Sequence, residues 1–291
     1  MDFGITLPSY GLQVDPAAIL DTALAAEEYG FHSAWTTDHI LLPEQDAANF
    51  RVLYESITTL AYIAGQTDRL RLGISSLVLP MRDPILTARQ LAALDVLSGG
   101  RAMLCVSVGW SEGEYRNLGQ DFTNRGARLD EAITVMRLLW NSSGEPVSFV
   151  GTFYHFERSI FNPVPLQTGG PELWIGGNSR AARKRALRTG AVWHPSSLHL
   201  DVFQSGAAEY HALSKPGTPV GIAPRLRVTF GKQDPAAHLS GSPEEIITRL
   251  KQYREAGLTA AVLSFNASSQ AQRRSFMKDF MKTIPPAFRG A

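Results

Sequence analysis

Short apolar, β-like runs alternate with helical patterns along the whole chain, and this alternation predicts an α/β fold, a (β/α)8 TIM barrel. Two further observations support it. Eight strands, each followed by a helix, can be counted in 291 residues, a common length for such barrels. The rhythm breaks once, at an insertion around residues 141–171. Residues 1–291 are expected to form a single domain. A doubly wound open sheet is the alternative, because two of the eight strands are short.

The elements follow in order. Asp2–Leu7 reads as a strand, and Asp15–Tyr29 as a helix with apolar residues at helical spacing and Gly30 as its stop. Ser33–Thr37 is a strand, followed after a loop by a helix over about Leu53–Gln66. Leu70–Leu79 carries the strongest strand signal. Pro80 stops it, Asp83-Pro84 starts the helix Pro84–Leu97, and Gly99-Gly100 closes that helix. Ala102–Val108 is a strand, and a helix runs over about Thr123–Trp140. Its Arg125, Arg128, Asp130 and Glu131 read as ion pairs three and four residues apart. Asn141–Pro171 is rich in Gly, Pro and aromatic residues, with a hairpin predicted within Val147–Phe156. The second half opens with strand Leu173–Ile175, a basic helix from Ala181 and a short strand at Ala191–Trp193. A helix near Val202–Leu213, a strand near Leu226–Phe230, helix Pro243–Ala256, strand Ala260–Phe265 and a helix over about Gln270–Thr283 complete it.

Composition narrows the function. An apolar content of 44% is ample for a buried core, and a net charge of +1 argues against an electrostatic nucleic-acid binder. The single cysteine, Cys105, excludes an intrachain disulfide and a multi-cysteine metal site, and its apolar surroundings mark it as a core residue. The start, MDFGITLPSYG, has no basic region leading into a long apolar stretch, so no signal peptide is expected. No run approaches membrane-spanning length, and a cytoplasmic protein is expected. The seven histidines show no metal-binding spacing, and neither a phosphate-binding Walker loop nor a GxSxG elbow is present.

In a barrel, function sits where strands end. The second strand ends in Asp38-His39, a histidine beside a carboxylate that could act as acid, base or electrophile. The pair reads equally as a capping aspartate and a histidine packed under a loop. Ser75-Ser76 places two hydroxyls inside an apolar strand, either at a bulge against a flat ligand or bonded to the neighbouring ladder. After the fourth strand, Gly109 permits close approach, Trp110 offers an aromatic wall, and Glu112 and Glu114 are acids or first-turn helix stabilisers. The sixth strand ends in Trp193-His194. The turn Gly176-Gly177-Asn178-Ser179 joins a strand to a helix capped by Ser179. That helix carries Arg180, Arg183, Lys184, Arg185 and Arg188 and no acid. Cations in a first turn oppose the helix dipole, which points to a nearby anion such as a phosphate.

Five segments taken together resemble the luciferase-like flavin and deazaflavin oxidoreductase superfamily. They are GFHSAWTTDHI, RLRLGISSLVLPMRDPILTARQLAALDVLSGGRAMLCVSVGW, RLDEAITVMRLLW, GGNSRAARKRAL and GSPEEIITRLKQYREAGLTAAVL. The pattern is most similar to the actinobacterial branch that uses coenzyme F420. The resemblance implies a TIM barrel with an insertion beside the active site and a non-proline cis peptide at Ser75-Ser76 that backs the isoalloxazine-like ring. It also implies a phosphate site at Gly176, Gly177, Asn178 and Ser179 helped by Arg183, and Asp38-His39 near the hydride-transfer centre. Glu112 lies where the group places an acid. Two departures stand out: Gly113 replaces one of two adjacent acids, and no Asp-Gly precedes Trp193.

The resulting expectation is an oxidoreductase transferring hydride between coenzyme F420 and a small organic substrate. His39 would be the acid–base group, Ser75-Ser76 the ring support, and Trp110, Trp193 and His194 pocket walls. An FMN-dependent two-component monooxygenase using reduced flavin and oxygen is the close alternative, and a non-catalytic flavin-binding protein a further one. A homodimer, and a flavin or F420 reductase supplying reduced cofactor, are the expected partners.

Overall fold

The computed structural model describes residues 1–11, 14–215, 217 and 220–288. Along the chain it contains β1 (Asp2–Thr6), β2 (Tyr10–Gly11), α1 (Pro16–Tyr29), β3 (Ser33–Thr36), β4 (Val52–Leu53) and α2 (Ser56–Ala64). Next come β5 (Arg71–Val78), α3 (Pro84–Leu97), β6 (Ala102–Ser107), α4 (Glu112–Asn117) and α5 (Arg125–Trp140). The hairpin β7 (Val147–Val150) and β8 (His155–Ser159) precedes β9 (Glu172–Gly176), α6 (Arg180–Thr189), β10 (Val192–His194) and α7 (Leu200–Leu213). The chain ends with β11 (Arg225–Phe230), β12 (Leu239–Gly241), α8 (Pro243–Glu255), β13 (Ala260–Phe265) and α9 (Gln270–Thr283).

Local chemistry accounts for most boundaries. Asp15 caps α1 by accepting from Ala17 N, and Gly30 closes it at φ 84°, a left-handed conformation that glycine adopts without penalty. Asp83 caps α3, and Ser242 and Glu245 form a reciprocal capping box at α8. The helix expected from Leu53 begins instead at Ser56, because Glu55 takes the cap position and Val52–Leu53 pair with Tyr10–Gly11. On α5, where ion pairs were expected, Glu131 is engaged away from the cations of its own helix. Glu131 accepts the backbone N–H groups of Thr152, Phe153 and Tyr154, so it pins the hairpin tip onto the helix. Arg125 and Arg128 turn to aromatic rings.

The chain divides into two compact units. One comprises Met1–Pro8, Asp15–Trp35 and Trp174–Ala291. In it β3, β1, β13 and β11 pair in parallel, with Asp2 opposite Ala260 and Gly4 opposite Ser33. β9 pairs in parallel with β10, which bridges to the segment entering β11 through Trp193–Ile222 and Ser196–Arg225. The main strands therefore lie side by side in sequence order, and the first strand pairs with the last. A doubly wound sheet reverses its order at a switch point, and this series has none. In this unit the fully buried Trp35 packs against Trp174, ring centroids 4.6 Å apart, with its indole N–H donated to Ser33 Oγ at 2.8 Å. A side chain at Gly4 would come within 2.6 Å of both Ser33 and Trp35, so the core needs glycine there.

The other unit comprises Ser9–Val14 and Thr36–Leu173. Its β5 and β6 pair in parallel, and β5 carries one extra residue between Ile74 and Leu77, where the ladder shifts. Cys105 is buried in β6, as its surroundings suggested. Among the described residues no helix is long and apolar enough to cross a membrane, and no cluster of His, Cys, Asp or Glu could hold a metal ion.

Candidate active site

In the second unit the chain leaving β3 carries Asp38 and His39, and the structure gives them different work. Asp38 is buried and accepts from Ser56 Oγ at 3.0 Å, from Val78 N at 3.0 Å and from Arg82 at 2.6 Å. Both oxygens are engaged, so Asp38 pins the loop to the start of α2 and the end of β5. Its partner Arg82 also lies 3.3 Å from Glu55.

His39 places Nδ1 2.7 Å from Oε2 of Glu114, which is fully buried. The other oxygen of Glu114 accepts from Ile40 N at 2.5 Å and Leu41 N at 3.2 Å. Burial alone would raise the Glu114 pKa, but the hydrogen bonds from His39, Ile40 and Leu41 outweigh it and hold the group below its ordinary value. An ionised Glu114 can only accept, so the Nδ1 hydrogen of His39 points at it. Nε2 is then the free face. Among the described residues it has no hydrogen-bond partner, and His39 lines a cavity of about 650 Å³. The ring also meets Phe50 at 4.7 Å and Trp110 at 5.6 Å.

Glu112, the expected acid, is not at this site. Its side chain is exposed and lies 3.9 Å from Arg116. Ser111 caps α4 by accepting from Glu114 N at 3.0 Å, and residues two apart on a helix point about 200° away from each other. Turning Glu114 inward therefore turns Glu112 outward. Gly113 between them has no room for a side chain, since a Cβ would sit 2.7 Å from Pro43.

The Ser75-Ser76 peptide is cis and coincides with the extra residue of β5. Ser76 Oγ accepts from Cys105 Sγ at 3.4 Å. Gly109 sits at φ 65°, and a Cβ there would meet Val78 at 2.7 Å. Trp110 is 55% exposed beside His39. A further group in this unit escaped the sequence reading. The Arg125 guanidinium lies 3.7 Å from the Phe122 ring and that of Arg128 4.8 Å from the Phe153 ring. Among the described residues neither pairs with a carboxylate. Arg125 Nε is buried without a partner, and burial raises the Tyr154 pKa against the opposing pull of Arg128. Such a group has spare capacity for an anion. The i,i+3 spacing disguised it as an ordinary helix face.

In the first unit the turn after β9 is a tightly bonded structure. Gly177 N donates to His194 O at 3.2 Å, the Asn178 amide exchanges two 2.9 Å bonds with the Ser196 backbone, and Ser179 caps α6 at Ala182 N. Gly176 ends the strand. Arg183 donates to Asn178 O at 2.9 Å, pairs with Glu209 of α7 and lies 5.3 Å from the Trp193 ring. Arg180 Nε reaches the same Glu209 at 2.9 Å. Glu209 is thus an anion within the protein that both first-turn cations meet, while Arg183 Nε stays buried without a partner. Trp193 and His194 are 0% and 1% exposed, so neither is an open pocket wall. Trp193 donates its indole N–H to Gly177 O at 2.8 Å, and His194 bonds through Nδ1 to Ala223 O in the stack with Trp35 and Trp174. Burial pushes the His194 pKa down to about 4.

Comparison with known proteins bears on this arrangement. The oxygenase component of a flavin-dependent trigonelline monooxygenase from Acinetobacter baylyi is 28% identical over 184 residues, covering 62% of this chain and 49% of that protein. A phthiodiolone/phenolphthiodiolone dimycocerosates ketoreductase from Mycobacterium tuberculosis is 31% identical over 186 residues, covering 59% and 49%. The chain spans about half the length of the curated relatives it matches. An F420-dependent secondary alcohol dehydrogenase, solved in complex with an F420-acetone adduct, shares the fold with a TM-score of 0.80 at 19% identity, over 99% of each chain. Other solved chains of this fold are named for F420 and for FMN. Residues 1–238 match the model of the luciferase-like monooxygenase family, and the chain belongs to that family, whose compared members are oxidoreductases and monooxygenases.

Proposed function

We propose that this protein is an oxidoreductase transferring hydride between coenzyme F420 and a small organic alcohol or carbonyl compound. The observation that carries this reading is the His39–Glu114 pair, which leaves Nε2 unbonded among the described residues on a histidine that lines a cavity. When bound, the coenzyme supplies the carbon that gives or accepts hydride. In alcohol oxidation, Nε2 of His39 takes the hydroxyl proton while Glu114 stabilises the imidazolium; in carbonyl reduction, Nε2 returns that proton to the oxygen. Ile40 N–H and Leu41 N–H keep Glu114 ionised in both directions.

The residues present fit a flat cofactor with an anionic tail. Ser9 Oγ and Thr36 Oγ1 are buried without partners and suit polar groups of a ligand, and Ser75-Ser76 is the expected ring support. The anionic tail has two candidate seats: the Gly176–Ser179 turn, with Arg183 as helper, and the Arg125–Arg128 pair. The same reading carries a closed (β/α)8 barrel over residues 1–291 with an insertion at 141–171. It also carries a cytoplasmic homodimer and a separate reductase that regenerates the cofactor.

The second reading, an FMN-dependent monooxygenase, is favoured by the likeness to the trigonelline monooxygenase oxygenase component. Fluorescence titration with F420 and with FMN, followed by turnover on panels of alcohols, ketones and aromatic acids, separates the two. F420 binding at micromolar concentration with alcohol- or ketone-dependent bleaching of the deazaflavin supports the first. Binding of FMN alone with oxygen-dependent product formation overturns it.

A further inference from the structure

We infer that the His39 cavity takes an uncharged, largely apolar substrate carrying one oxygen function, and excludes anionic ones. The inference rests on the functional reading above and names its substrate class. The cavity, about 650 Å³, falls within the range of small-molecule sites. Its walls are chiefly Ile40, Leu41, Leu42, Ala47, Phe50 and Leu53. Every charged wall group already faces an opposite charge. Arg82 is held by Asp38 at 2.6 Å and Glu55 at 3.3 Å, and Arg51 lies 3.9 Å from Glu44. The lining acids Glu44 and Glu55 match Arg51 and Arg82, and Asp38 and Glu114 stand behind Arg82 and His39, so a carboxylate substrate would lose its hydration without finding an unpaired cation. The open Nε2 of His39 is the polar anchor that remains.

The loop around the cavity carries unpartnered apolar surface. Ile40, Leu41, Val52 and Tyr54 are 43%, 56%, 40% and 38% exposed, and apolar surface grouped beside a polar anchor marks a ligand site. A hydrocarbon chain held by its oxygen at His39 would cover part of it.

Saturation-transfer NMR on the full chain, with 2-butanone, 2-hexanone, 2-octanone and the anion 4-oxopentanoate as probes, tests this. Affinity is expected to rise about three- to fourfold per methylene, and 4-oxopentanoate should bind at least about tenfold more weakly than 2-hexanone. Leu41→Asp, at a half-exposed loop position, should flatten the chain-length dependence. Absent binding, a flat series, or tighter binding of 4-oxopentanoate overturns the inference. If the series binds as stated but no alcohol or ketone turns over with F420 or FMN, the functional reading fails and the inference stands.

Discussion

The shell around His39 and the turn at Gly176–Ser179 each set a carboxylate against a base or cation, with opposite consequences. Glu114 is fully buried, takes two backbone N–H groups and one imidazole nitrogen, and leaves the other nitrogen unbonded among the described residues on a histidine that lines a cavity. Glu209 receives both Arg180 and Arg183, and in doing so uses up the charge that would otherwise wait for a ligand. A carboxylate behind a histidine orients and tunes it, because imidazole has a second reactive face. A carboxylate across from a guanidinium neutralises it. In the first region a carboxylate leaves a base with one nitrogen unbonded; in the second a carboxylate meets two cations.

The largest effects should come from breaking the first region. His39→Gln should lower kcat by about 10²–10⁴-fold, and Glu114→Gln by about 10²-fold with little change in KM. Glu114→Gln should also displace the pH dependence of kcat, because the imidazolium loses the carboxylate that stabilises it. A Glu114→Gln enzyme with a normal pH profile would remove the pair from the chemistry.

Acid should act on the first unit's stability next. His194 and His238 are held at about 4, largely by burial, against an ordinary 6.5. The unfolded chain therefore binds protons that the native one refuses. Their contribution is complete above about pH 6.5 and is lost as pH falls toward 4, at about 3 kcal/mol per histidine. Urea melts at pH 7, 5.5 and 4.5 read this directly, and His194→Gln should shrink the slope.

The two anion seats give a smaller contrast. Replacing Arg125 and Arg128 together with alanine should weaken cofactor binding by about tenfold or more. Arg183→Ala should change affinity by less than about threefold, because Glu209 already holds that guanidinium. Fluorescence titration of the variants decides between the seats, and the reverse ranking would return the phosphate to the Gly176–Ser179 turn. The smallest effect belongs to Glu112→Gln. Its exposed pair with Arg116 should leave kcat/KM within about twofold.

Much of the architecture was legible in residue order. Asp15 and Asp83 announce helix starts, Gly30 a stop, and β13 and α9 fall at the bounds that periodicity assigns. Ser75-Ser76, two hydroxyls in an apolar strand, marked the irregular point of β5. The site was only half legible. His39 stood out, but its partner lies 75 positions away, and choosing Glu114 over Glu112 required the helix phase set by the Ser111 cap. Trp193-His194 read as a rim because strand ends in barrels are rims, yet the packing of Trp35 and Trp174 around His194 buries it.

Sequence alone therefore determined the alternation of strands and helices, the caps and the family, since these depend on neighbours within a few positions and on motifs of local spacing. Tertiary structure decided which charges remain available. Neutralisation is a matter of distance in space, and Glu209, Glu114 and Asp38 each reach their partners from other elements. Arg125 and Arg128, ordinary in sequence, turn to aromatic rings, whereas Arg183, conspicuous in sequence, meets Glu209 while its Nε stays buried without a partner.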